Sequence, residues 1–283
     1  MLVRWHNYTD EQGRCAEAQL FSPETPTDKV ILFCPGFPGA GATLFEQRHA
    51  ENLTNEGFSV VVLRHAGTRF DSPFGPFMVN NGARLKQARA KGEAMIGGVP
   101  AAIDTWLIEP LVALKTLAKN YAQIHVIGNS FGALSSLWSL TSDSAPIDNV
   151  KSLLLYAGAQ GTSDGSPMDI MRIWQVQFIA MPRVTEKVSL EPAPQIAATL
   201  LNVYRDLPNR MARIPASVPI TYLVVENDEI LKPFDTQRFN DAIGGRGTIV
   251  MDSDDHAHPN AGLLAHDTPD YTTEKLLALI VKN

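Results

Sequence analysis

The chain has 283 residues, 45% of them hydrophobic and 19% charged, with a formal net charge of −6. That is enough apolar material for a large core in one big α/β domain with an insertion, and the acidic balance without a basic block excludes a phosphate backbone as a natural partner. Cys15 and Cys34, far apart in the sequence, make no disulfide framework. Neither a signal-like apolar start nor a run of roughly eighteen apolar residues is present, so a soluble, cytoplasmic protein with no membrane span is expected.

In chain order, strand-like segments are expected at 17–21, 30–34, 59–63, 124–127, 150–156, 220–225 and 248–251. Most are continuous apolar runs, the pattern of strands covered on both faces. Helical patterns fill the gaps at 43–55, with Gly57 as its stop, then at 101–119, 131–140, 234–242 and 271–281. Such alternation predicts a mainly parallel sheet flanked by helices. Two stretches interrupt it. Residues 70–100 carry FDSPFGPF and MIGGVP, and residues 158–219 hold two expected helices, around Trp174 and Leu201, bounded by prolines. Both are too long for simple connections. The second is read as an inserted lid and the first as a loop that helps it shape a pocket. The basic run RLKQARAK, Arg84 to Lys91, is read as a solvated helix face.

The stretch IHVIGNSFGAL, residues 124–134, sets Ser130 between Gly128 and Gly132, directly after a strand and before a helix. A G-x-S-x-G match is common by chance, but this context gives it chemistry. A serine on a sharp strand-to-helix turn is pushed out at the sheet edge, and flanking glycines allow the close backbone approach that the turn needs. The following helix aims its amide-rich end at the place where negative charge develops.

A serine hydroxyl needs a base, and the base needs an orienting carboxylate. Both occur downstream, just past expected strands: Glu226-Asn227-Asp228-Glu229 after ITYLVV, and Asp252-Ser253-Asp254-Asp255-His256-Ala257-His258 after TIVM. In a parallel sheet these strand ends share one edge with Ser130.

With these residues in this order, the chain resembles an α/β-hydrolase over nearly all of its length apart from the two insertions. The resemblance implies a Ser-Asp-His triad in chain order. VVENDEILKP is similar to the family's acid loop and nominates Asp228, with Glu226 and Glu229 as alternatives; His256 stands where the family places its base, with His258 as its rival. CPGFPGAG, residues 34–41, resembles the family's H-G-x-x-G oxyanion loop, with Pro35 in place of the histidine. Pro38 has no N–H, so the implied oxyanion donors are the amides of Phe37 and Phe131. VVVLRHAGTRFDSP is similar to the next strand and loop, with Gly67 matching its glycine and Arg64 and Arg69 expected to be structural. His6, His49, His65 and His125 lie in elements with no evident reason to reach the site and are read as structural; His266 is read as a surface or core residue.

The resulting expectation is a serine hydrolase acting on a small-molecule ester, thioester or amide through an acyl-enzyme, with no cofactor. Phe74, Phe77, Met171, Trp174 and Phe178 are the candidate lining of an apolar acyl pocket, with Met168 and Met181 at the same helical spacing. An acyltransferase or an aminopeptidase of the same fold is the alternative; the latter needs acidic groups for a free amine, such as Glu186 or Glu191. A non-catalytic binding protein on this fold is a third possibility. His256 and His258 with Asp254 and Asp255 do not make a complete metal-ligand set, so no metal is expected.

Overall fold

The computed structural model describes residues 1–37, 39, 41–65, 102–158, 160, 193–226, 228, 232–252 and 272–281. Eight strands form one sheet: β1 (Leu2–Thr9), β2 (Cys15–Ser22), β3 (Lys29–Cys34), β4 (Ser59–Arg64), β5 (Gln123–Asn129), β6 (Val150–Tyr156), β7 (Ile220–Val225) and β8 (Thr248–Asp252). Their order is β1-β2-β4-β3-β5-β6-β7-β8. β2 runs antiparallel to β1 and β4, and every other pairing is parallel. The mainly parallel, helix-flanked sheet read from the sequence is therefore present.

Alternation along the strands builds two cores. Val30 and Leu32 of β3 face one way, with Val61 and Leu63 of β4 and Tyr222 and Val224 of β7. Ile31 and Phe33 face the other, with Val60, Val62, Leu223 and Val225. A strand buried on both faces reads as an unbroken apolar run, which is why these were visible from sequence. The first core is roofed by α2 (Ile103–Asn120), α3 (Phe131–Leu140) and α4 (Ala193–Arg210). The second is covered by α6 (Thr273–Val281) and by α1, which runs from Ala42–Phe45 through a π-helical stretch, Glu46–Ala50, to Glu51–Asn55. Gly57 follows α1 at φ 86°, donating its N–H to the Thr54 carbonyl as a helix stop. α5 (Pro233–Ala242) begins with proline at its first position, where no N–H is needed.

Two elements differ from expectation. β1 was not anticipated because it is an edge strand whose residues, apart from Tyr8, are exposed or half-exposed. Its hairpin is fixed by Asp10, whose Oδ1 accepts from the amides of Gln12 and Arg14, and by Gly13 at φ 75°. α4 falls within the 158–219 insertion, yet Ile196, Leu200, Val203, Tyr204 and Leu207 are all buried in the first core. Residues 161–192 lie outside the described residues, and no helix among the described residues is long and apolar enough to cross a membrane.

Two histidines are locked into this frame. His49 Nδ1 meets Thr273 Oγ1 at 3.0 Å, tying α1 to α6, and His125 Nδ1 meets Ser152 Oγ at 2.8 Å, tying β5 to β6. Burial, aided by Arg48 for the first and by Lys29 and Lys151 for the second, pulls both imidazoles from the ordinary 6.5 down to about 4. Between those values the unfolded chain binds more protons than the folded one, so stability falls as pH drops through that window. Urea midpoints taken from pH 7 to pH 4 should decline accordingly. His125→Asn, which cannot ionise, should make the decline shallower; an unaltered slope would mean that His125 is already charged in the folded chain.

Candidate active site

Ser130 follows β5 at once and caps α3 with φ 50° and ψ −116°, a region that residues bearing a Cβ avoid. Hydrogen bonds hold it there. Its N–H donates to the Tyr156 carbonyl at 2.9 Å, and its carbonyl accepts from the Ala133 N–H at 3.0 Å. The adjacent end of β6 carries a second non-glycine residue at positive φ, Ala157 at 40°. Both glycines flanking the serine are obligatory. A Cβ on Gly128 would lie 2.6 Å from the Ala133 Cα, and one on Gly132 would lie 1.9 Å from the Cys34 carbonyl oxygen and 2.8 Å from that of Pro35. The first turn of α3 therefore rests directly on the start of the loop that follows β3, and its N-terminal amides face the sheet edge.

In that loop the Gly39 N–H donates to the Gly36 carbonyl at 2.6 Å, and Gly39 and Gly41 take φ of 122° and 82°. Pro38 and Ala40 lie outside the described residues. Phe37 is buried with its ring 5.5 Å from that of Trp106 on α2, and Phe131 packs edge-on to Trp106 at 6.4 Å. The two residues nominated as amide donors thus share one aromatic cluster.

His65 is the member of this cluster that sequence reasoning assigned elsewhere. Past the end of β4, alternation turns Arg64 to one face, where it pairs with Glu46 at 2.5 Å, and His65 to the other, where Nδ1 meets Glu109 Oε2 at 2.7 Å. Its Nε2 lies 3.2 Å from the Pro35 carbonyl oxygen. The ring stacks on Trp106 at 4.5 Å and meets Phe131 edge-on at 5.4 Å. A sequence signal existed. Glu109 falls on the apolar face of α2 with Trp106, Val112 and Ala113, and a glutamate there needs a buried partner.

The acid candidates separate by burial. Asp228 is 3% exposed and its N–H donates to the Val225 carbonyl at 3.2 Å, whereas Glu226 is exposed. Glu229 lies outside the described residues, as do His256 and His258, the pocket candidates Phe74, Phe77, Met171, Trp174 and Phe178, and also Gly67 and Arg69. The Glu226 N–H donates to the Asp252 carbonyl at 3.2 Å, so β7 and β8 end together at the edge that carries Ser130. Cys34, fully buried at the same edge, has its thiol pushed far up by burial and by the Glu109 charge.

Substitutions two residues apart should act in opposite directions. Ser130→Gly relieves a backbone strain of about 1–3 kcal/mol, partly offset by glycine's extra freedom when unfolded, so a gain of about 1 kcal/mol is expected in urea denaturation. Gly132→Ala drives a Cβ into the loop carbonyls and should lose about 4 kcal/mol or leave the chain unfolded. A Ser130→Gly variant less stable than the parent would contradict the strained turn.

No family profile and no curated protein matches the sequence. Solved structures do. The fold superposes on the esterase domain of a Rhodothermus marinus protein with a TM-score of 0.56 at 14% identity, covering 99% of this chain and 98% of that one. It superposes on an α/β hydrolase from a Penicillium species with a TM-score of 0.57 at 14% identity, covering 93% of each chain. A Mycobacterium tuberculosis puromycin-hydrolysing peptidase aligns with a TM-score of 0.55 at 16% identity, over 94% of this chain and 38% of that one. Strand order, parallel register and these superpositions together show that the chain has the α/β-hydrolase fold.

Proposed function

We propose that the protein is a serine hydrolase that cleaves an ester, thioester or amide through an acyl-enzyme on Ser130. The observation that carries this reading is the backbone of Ser130, held at φ 50° on a turn that two glycines make possible. Strain of this kind is retained where a side chain must be presented, and a purely structural serine gains nothing from it. The esterase and peptidase among the superposed structures are consistent with acyl transfer.

In this mechanism His256 removes the hydroxyl proton as Ser130 Oγ attacks the carbonyl carbon, and Asp228 holds the imidazole and balances its charge. The amides of Phe37 and Phe131 receive the oxyanion, aided by the positive end of α3. Collapse expels the leaving group with the proton from His256. Water activated by the same histidine then attacks the acyl-enzyme and releases the acid, restoring Ser130. Within the 158–219 insertion the part around Trp174 acts as the lid, α4 being packed into the first core, and Phe74, Phe77, Met171, Trp174 and Phe178 supply an apolar acyl pocket, which favours a hydrophobic acyl group over a charged one. The burial of Asp228 supports it over the exposed Glu226 as the acid.

Intact-mass analysis after treatment with a fluorophosphonate should show one adduct, mapped to Ser130 and absent from Ser130→Ala. A folded chain that takes no adduct would turn the reading toward a non-catalytic binding protein. Rates on p-nitrophenyl butyrate should exceed those on an alanyl p-nitroanilide, and the reverse preference would favour the peptidase alternative. Asp228→Asn should leave the fold intact while lowering kcat on the ester by about 10³- to 10⁴-fold, since the base loses its orientation and its counter-charge. A loss of less than about tenfold would move the acid to another carboxylate.

A further inference from the structure

We infer that His65, held by Glu109, is a positioning residue that fixes the oxyanion loop through the carbonyl of Pro35; the inference rests on the hydrolase reading. The donor inventory sets the protonation of the pair. The Pro35 carbonyl only accepts, so at 3.2 Å Nε2 of His65 must carry a proton. Nδ1, 2.7 Å from Glu109 Oε2, then either donates to a carboxylate or accepts from a carboxylic acid. Both members are almost fully buried, His65 at 2% and Glu109 at 1% exposure, so neither can exchange its partner for water.

The consequence falls on the loop. Pro35 has neither an N–H nor a polar side chain, so the first loop residue cannot brace itself. His65 braces it from the neighbouring strand, two residues before the amide of Phe37. The same ring stacks on Trp106 and packs against Phe131, and Trp106 in turn packs on Phe37. The imidazole thus joins the two segments whose amides form the oxyanion hole. A hole works only when its donors are fixed before charge develops, and a displacement near 1 Å costs on the order of 100-fold.

Two substitutions divide the ring's two bonds. In His65→Asn the amide nitrogen replaces Nδ1 and keeps the Glu109 bond while the Pro35 bond is lost. In His65→Gln the amide nitrogen reaches the Nε2 position and keeps the Pro35 bond while buried Glu109 loses its bond to residue 65. Melting temperature and activity should therefore run in opposite orders: H65Q melts lower than H65N but reacts faster with a fluorophosphonate. H65N is expected to lose on the order of 10- to 100-fold in that second-order rate and in kcat on p-nitrophenyl butyrate, with KM little changed, and H65Q to recover to within about threefold of the parent. Folded H65N reacting as fast as the parent, or rates that follow melting temperature across both variants, would overturn the role of His65 while leaving the hydrolase reading intact. If H65Q does not fold, H65N against the parent decides alone. A parent chain that forms no Ser130 adduct would remove the hydrolase reading and this inference with it.

Discussion

The contact on which the site depends is between backbones. The first turn of α3 lies against the carbonyls of Cys34 and Pro35 with no room for a side chain at position 132. Three constraints meet there: β3 and β5 are paired in parallel, with Cys34 opposite Gly128; the chain reverses sharply at Ser130; and the helix must start immediately. Removing any of the three would separate the serine turn from the loop that follows β3. The strained serine and the two flanking glycines are thus two aspects of one packing solution, in which the turn is tightened until the helix reaches the loop.

Close approach brings polar groups into a dry place, and the surrounding residues answer that. Arg64 and His65 are consecutive, yet each finds a glutamate on a different face of the sheet, Glu46 on α1 and Glu109 on α2. Buried ions on their own would be strongly unfavourable, and paired ones are close to neutral in net stability. Their value is geometric. Each pair ties the end of β4 to a helix, so the edge of the sheet is fixed from both sides at the level where the functional loops leave it.

How much of this is legible in the sequence follows from where each residue is buried. β3, β4, β5, β6 and β7 are covered on both faces and read as apolar runs, and the G-x-S-x-G turn is local, so both appear without a structure. β1 does not, because a solvated edge strand carries polar residues such as Arg4, His6 and Asn7 and shows no apolar run. The resemblance of VVENDEILKP to an acid loop nominates Asp228 but leaves Glu226 open in the same string of acidic residues. The fold adds that Asp228 is buried and Glu226 exposed. His65 is the clearest case of a non-local fact: its partners are Pro35, thirty residues before it, and Glu109, forty-four after it. Neither pairing leaves a spacing pattern, although a glutamate on the apolar face of α2 marks one end of it.

The same buried glutamate also acts on a neighbouring thiol. A thiol is intrinsically more reactive than a hydroxyl, and Cys34 lies at the edge where Ser130 is presented. It is fully buried, and both burial and the Glu109 carboxylate oppose its ionisation, so it remains a neutral thiol behaving as a small apolar side chain. Ser130, by contrast, stands at the positive end of a helix, where developing negative charge is stabilised. Glu109 therefore does two things from one position: it meets the His65 imidazole and adds to the burial that keeps the Cys34 sulfur protonated. The sheet edge can carry both a cysteine and a serine because burial, reinforced by one glutamate, opposes charge on the first, while the dipole of one helix favours it at the second.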